Sequence, residues 1–312
     1  MRNDQVQEAA QALMSGHLVA FATETVYGLG ADATNSAAVA KIFAAKGRPK
    51  DHPLIVHVSS FEAALRWADE VPDYVGKLAD HFWPGPMTLI LRRSALATDD
   101  ITGGQDTVGV RVPSHPVAQE LLAAFELLGG QGVVAPSANR FGKVSPTTSD
   151  AVRQELEQHL SAEDLILDGG QSSVGIESTI FDCTSDLPQI LRLGAITASM
   201  ISAATGLPLK NDESQIRVSG SLESHYAPNA RLVLNQNAEV GDGLIALQSF
   251  QTPSGAIRLA SPATTKEYAN QLYLALRKAD DLGLSRVVAI TPEGDELSEA
   301  INDRLMRSSY KG

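Results

Sequence analysis

The 312-residue sequence predicts an α/β fold followed by a smaller α/β unit at the C-terminal end. Two patterns carry this expectation. Short apolar runs recur between amphipathic stretches, as strands alternating with helices do. Several of those runs lie too close together for a helical crossover, so the sheet is mixed and not purely parallel.

In chain order, residues 3–15 read as an amphipathic helix with Val6, Ala9, Ala10 and Leu13 on one face. The apolar run 18–22 reads as a buried strand and leads into TETVYGLG, residues 23–30. A helix follows, with Asn35 or Ser36 as its N-cap and Gly47 just past its end, where Lys46 and Arg48 sit. His52-Pro53 precedes a second strand at 54–58 that carries His57. Helices are expected at 61–68 and 72–82, with Pro72 as an early helical residue. Trp83-Pro84-Gly85-Pro86 breaks the second of them, and 87–91 reads as a strand.

Residues 94–106 are polar and read as a loop. The alternation over 107–113 predicts a strand with Thr107, Gly109 and Arg111 on one face. A helix at 115–128 and a strand at 132–135 lead into Pro136-Ser137-Ala138-Asn139. A helix at 149–160 and strands at 165–168, 179–183 and 190–193 complete this part. Residues 208–230 are polar and aperiodic and read as a linker. Beyond them the pattern restarts, with strands at 231–234, 244–247 and 286–290 and helices at 264–282 and 295–306. The expected organisation is a domain over 1–207, a linker over 208–230 and a small domain over 231–312.

Composition narrows the function. A formal net charge of −12 argues against a chain held to nucleic acid by bulk charge, while leaving room for a local basic pocket for a small anion. The single cysteine, Cys183, excludes an intrachain disulfide and a multi-cysteine metal site and fits a reducing cytosol. The N-terminal residues do not read as a signal peptide and no run is long enough to span a membrane, so a cytoplasmic protein is expected. GxxxxGK[ST], GxGxxG and GxSxG are all absent.

What remains is a set of polar groups at strand ends. Lys46 and Arg48, two residues apart, suit a polyphosphate, although cations at a helix C-terminus also simply complement its dipole. Arg111 is either an edge-strand cation facing water or a rooted guanidinium able to clamp a carboxylate. Ser137-Ala138-Asn139, Ser178-Thr179 and Arg192 are each caps or ligand donors. Their recurrence at five strand ends favours one shared pocket.

The ordered segments TETVYGLG, KGRPKDHPLIVH, WPGPMTLIL, TVGVRVPSHP, APSANRFGKVSPT, GIESTI and ILRLGAI resemble the threonylcarbamoyl-AMP synthase family, with its YrdC-like domain. SHYAP followed by a small α/β domain resembles the long, two-domain members. Two departures are visible: His52 stands where Asn is commoner, and the linker lacks the usual glycine-methionine-basic run before HYAP. The resemblance implies a twisted mixed YrdC-like sheet joined to a Rossmann-like domain. It also implies condensation of L-threonine, bicarbonate and ATP to threonylcarbamoyl-AMP and pyrophosphate, for tRNA threonylcarbamoyladenosine modification. By motif position it implies Thr25, His57, Arg111 and Ser178 for threonine. Lys46, Arg48, His52, Thr107, Ser137, Ser145, Arg192 and Tyr226 fall to ATP, with Lys46, Arg48 and Arg111 central to catalysis. Mg²⁺ is expected with ATP, a tRNA-modifying transferase complex as acceptor of the product, and tRNA binding at most weakly. The alternative is an RNA-binding module of YrdC-like type without catalysis.

Overall fold

A computed structural model of the chain describes residues 2–212, 214–220 and 226–310. Ser224 and His225 of the SHYAP motif lie outside the described residues. Nine strands form the larger sheet: β1 (Val19–Phe21), β2 (Gly28–Asp32), β3 (Ile55–His57), β4 (Met87–Arg92), β5 (Thr107–Arg111), β6 (Val133–Val134), β7 (Leu165–Ile166), β8 (Thr179–Asp182) and β9 (Gln189–Arg192). Their spatial order is β7-β1-β2-β6-β3-β5-β4-β8-β9. The sheet is mixed: β3–β5, β4–β8 and β1–β7 are parallel and the remaining pairs antiparallel.

Both faces of the sheet are covered. On one side pack α1 (Arg2–Met14) and, further along the chain, the helix Pro116–Leu127; they bury Val6, Leu13, Leu121 and Phe125 against Phe21 and Val133. The other side carries α2 (Ser36–Lys46), α3 (Phe61–Leu65), α4 (Tyr74–Phe82) and the single turn α5 (Asp99–Thr102). Counting Pro116–Leu127 as α6, α7 (Ser149–Leu156) and α8 (Ala198–Thr205) complete that layer over Trp67, Leu78, Leu89 and Phe181.

The smaller sheet holds β10 (Arg231–Leu234), β11 (Gly243–Ile245), β12 (Ile257–Ala260) and β13 (Arg286–Ala289), all parallel, in the order β10-β13-β11-β12. Helices α9 (Thr265–Asp281) and α10 (Glu296–Ser309) pack on it. Its core also takes in Val26, Val144 and Ile176 from loops of the larger part, so the two units share apolar burial.

Local signals explain α2 completely. Asn35 accepts hydrogen bonds from the N–H groups of Ala37 and Ala38, and Gly47 closes the helix in the left-handed conformation at φ 61°. The structure departs from the sequence reading at several points. Pro72 lies ahead of α4, which starts at Tyr74, because its carbonyl is used in a turn by the N–H of Val75. The 94–106 segment is not all loop, since α5 forms within it and ends at Gly103, φ 61°. Helix α8 was not anticipated: its small residues give little periodic contrast, although Thr197 and Gly206 cap it. Strand β12 was not anticipated either, being a four-residue edge strand held by pairing to β11. No described helix is long and apolar enough to cross a membrane.

Candidate active site

The parallel register of β3 and β5 sets His57 beside Arg111 at the carboxyl ends of two central strands, the usual ligand position of an α/β sheet. Arg111 is therefore interior to the sheet, which removes the edge-strand alternative. After β1 the chain makes a tight hydroxyl turn: Thr23 Oγ1 accepts from the N–H groups of Thr25 and Val26 and donates to the Val26 carbonyl at 2.6 Å. That turn aims the next two side chains at Arg111. Its Nη2 donates to Glu24 Oε1 at 2.7 Å and its Nη1 to Thr25 Oγ1 at 3.0 Å. Both members of this ion pair are buried, and the second carboxylate oxygen accepts from the Ser114 N–H at 3.1 Å. His57 donates from Nδ1 to the Ile55 carbonyl at 3.2 Å. Burial first, then the Arg111 charge, push its pKa down to about 3, so the ring is neutral at physiological pH. Ser178 Oγ shares a 2.8 Å hydrogen bond with Thr88 and accepts from Arg192 Nη2 at 3.1 Å.

Two further arginines reach the cleft. Arg48 follows the Gly47 turn and donates from Nη2 to the Pro53 carbonyl at 2.9 Å and to Ser219 Oγ at 3.0 Å. Arg192, on β9, donates from Nε and Nη2 to the Ser178 carbonyl and from Nη1 to the Ser219 carbonyl at 2.9 Å. Among the described residues neither has a carboxylate within ion-pair distance. Burial lowers the pKa of both; Arg48, at about 10, is cationic at neutral pH.

Eight of the residues expected from sequence line this one cleft: Thr25, Arg48, His57, Arg111, Ser137, Ser178, Arg192 and Tyr226. Ser219 and Gly220 close it, leaving a cavity of about 50 Å³. The other four expected residues stand outside the lining. Lys46 is buried just behind it, its ammonium donating to the carbonyls of Ser137 and Asn139 at 2.5 Å each; burial first, then Arg48, hold its pKa well below normal. It gathers the 137–139 loop under Arg48. His52 is half-exposed and packs edge-on against Phe141 at 5.3 Å. Thr107 faces a smaller adjoining cavity with Gly109 and Ile55. Ser145 lies behind the wall and donates to Glu177 Oε1 at 2.7 Å.

Comparison with known proteins places the chain in a family. The Sua5/YciO/YrdC family model, described as telomere recombination, matches residues 11–194. A model described as threonylcarbamoyl-AMP synthase, C-terminal domain, matches residues 196–309. The chain belongs to the threonylcarbamoyl-AMP synthase family. A threonylcarbamoyl-AMP synthase of Pyrococcus abyssi is 36% identical over 97% of this chain and 94% of its own length. One from Bacillus subtilis is 34% identical over 98% of this chain and 93% of its own. The crystal structure of P. abyssi Sua5 complexed with L-threonine superposes with a TM-score of 0.88, covering 98% of this chain and 94% of that one at 35% identity. The family resemblance read from the motifs and the two-part α/β architecture are thereby established.

Three residues at the cleft of this family member escaped the sequence reading. Glu24 holds Arg111 from the turn after β1. Its pairing spans 87 positions, and the one available hint was that a buried arginine needs a counterion. Glu177 lines the cleft beside Ser178, and Ser219 joins Arg48 to Arg192 from the linker. Neither carries a local signal, because their partners are brought in by the fold.

Proposed function

We propose that this cleft condenses L-threonine, bicarbonate and ATP to threonylcarbamoyl-AMP and pyrophosphate, making the chain a nucleotidyltransferase. The observation that carries the reading is the division of charge across the cleft. One wall holds a guanidinium already braced by Glu24 and Thr25, and the other holds two arginines that, among the described residues, meet only carbonyl and hydroxyl oxygens. Each terminal nitrogen of Arg111 has a second N–H, which suits the carboxylate of threonine. Thr25, His57 and Ser178 complete that side, and the neutral ring of His57 adds no positive charge beside the amine.

The amine adds to bicarbonate-derived carbon dioxide to give a carbamate. A carbamate oxygen then attacks the α-phosphorus of ATP, the bond to the β,γ-phosphates breaks and pyrophosphate leaves. Arg48 and Arg192 offset the charge that develops, with Ser137 beside them; Lys46 contributes by fixing the 137–139 loop. His52, Thr107 and Ser145 contribute at the margin of the nucleotide site. Mg²⁺ would come with ATP and would supply neutralisation of phosphate charge; Glu24 and Glu177 are each held by an arginine, so the chain would hold the ion through the nucleotide.

The 208–230 linker acts as a lid over the bound substrates: its Ser219 bonds both Arg48 and Arg192, and Tyr226 lines the same cleft. The product passes to a tRNA-modifying transferase complex in the cytoplasm. The test is incubation with ATP, bicarbonate and labelled L-threonine. An adenylate whose formation needs all three supports the reading, and the absence of threonine-dependent pyrophosphate overturns it.

A further inference from the structure

The larger domain and the C-terminal domain meet at a buried carboxylate on the wall of the cleft. Glu177 comes from the 171–178 loop, one residue before Ser178, and is 6% exposed. Its Oε1 accepts from Ser145 Oγ at 2.7 Å. Its Oε2 accepts from Tyr273 Oη on α9 and from Arg304 Nε on α10, both at 2.9 Å. Arg304 has no exposed surface, and its Nη2 also donates to the Leu193 carbonyl at 2.7 Å. The rings of Tyr226 and Tyr273 stack at 5.6 Å, with the Arg304 guanidinium 5.5 Å from the Tyr226 centroid.

The same loop is tied down upstream. Asn270 of α9 donates to the carbonyls of Ser172 and Ser173, and Gly175, at φ 86°, lies so close to Asn270 that a Cβ would come within 2.4 Å of its Cα. No side chain fits there, so the loop and the helix are built to meet. Burying a carboxylate and a guanidinium is costly, and an interface needed only for adhesion is served as well by apolar packing. Here the charged pair stands where the loop reaches the substrate cleft, beside the hydroxyl and carbonyl of Ser178 that Arg192 holds.

We propose that Tyr273 and Arg304 of the C-terminal domain are positioning residues of the active site, acting through Glu177 to hold Ser178 on the threonine wall. This rests on the functional reading above and gives the C-terminal domain a part in substrate binding. Removing either partner loosens the loop without touching a reacting atom, so the loss falls on threonine affinity more than on turnover.

The experiment compares the full-length protein with Tyr273→Phe, Arg304→Met and Arg304→Met/Glu177→Gln. It reads calorimetric threonine binding, KM and kcat for threonine-dependent pyrophosphate release, the pH profile and the unfolding temperature. Tyr273→Phe loses one hydroxyl and stays folded; its threonine Kd and KM rise about tenfold while kcat stays within about threefold. Arg304→Met strips Glu177 of its ion-pair partner, leaving Glu177 beside Arg192 and Asp303 paired to Arg307, so the carboxyl takes up a proton at higher pH and an acid limb enters the profile. The double variant removes both members of the Glu177–Arg304 pair and recovers part of the lost affinity. Where Arg304→Met fails to fold, Tyr273→Phe decides alone. Folded variants with wild-type threonine affinity and pH profile overturn the inference and leave the function standing. A wild-type protein that binds threonine without making adenylate overturns the function, while the binding data still decide the positioning role. A wild-type protein that does neither overturns both.

Discussion

The two walls of the cleft handle positive charge in opposite ways. On the Arg111 wall the cation is neutralised by a protein carboxylate at 2.7 Å, and the surrounding oxygens are already in place. On the Arg48–Arg192 wall the cations meet, among the described residues, only Pro53, Ser178 and Ser219, and Ser219 belongs to the linker. The first wall is preorganised for a small zwitterion that needs orientation. The second is kept electropositive and covered by a replaceable hydroxyl, as suits a ligand that brings several negative charges of its own.

That contrast can be broken at several points. The largest effect is expected at Glu24→Ala, which leaves Arg111 buried without its carboxylate. Stability measured by urea denaturation should fall by about 3–5 kcal/mol. An unchanged midpoint would mean that the Arg111 wall is not rigidly braced. Next, Arg48→Ala should raise KM for ATP by tenfold or more, the loss of roughly 1.5–3 kcal/mol from hydrogen bonds to a charged group. Calorimetric threonine affinity should stay within about twofold, and an equal loss of both would erase the division between the walls.

The third effect is on stability against pH. The pKa of His57 is about 3 in the folded chain against 6.5 for a free side chain, so the unfolded state binds the extra proton. Its contribution is complete above pH 6.5 and is lost as pH falls towards 3, about 2 kcal/mol of it by pH 5. Glu177 acts lower. Burial alone would raise its pKa, but Arg304, Arg192 and Ser145 bring it to about 2 from 4.5, so its contribution holds above pH 4.5 and fades towards pH 2. Unfolding temperatures across pH should show both windows, and His57→Gln should flatten the upper one alone. The smallest effect is at Ser219→Ala, which removes the hydroxyl from Arg48 and costs the closed linker about 1 kcal/mol. KM for ATP should then stay level or fall up to about fivefold, and a rise would make Ser219 a nucleotide ligand and not a placeholder.

How much was legible beforehand differs residue by residue. The ends of α2 follow from Asn35 and Gly47, and β10 occupies the four residues, Arg231–Leu234, expected from its apolar pattern. Strand alternation put Thr107, Gly109 and Arg111 on one face, but alternation says nothing about neighbours. Whether Arg111 faced water or protein waited on β5 lying between β3 and β4. Motif position joined Lys46 to the nucleotide, whereas its ammonium is spent on the carbonyls of Ser137 and Asn139. His52 shares its motif with Arg48 yet stands on Phe141 outside the cleft lining.

From sequence alone come the fold class, the family and most of the cleft, because periodicity, caps and ordered motifs are local in the chain. The pairing of charges belongs to the tertiary structure. Glu24 finds Arg111 across 87 positions and Glu177 finds Arg304 across 127. A buried ion needs its counterion within a few ångströms, and that distance exists only once the sheet and the C-terminal helices have packed.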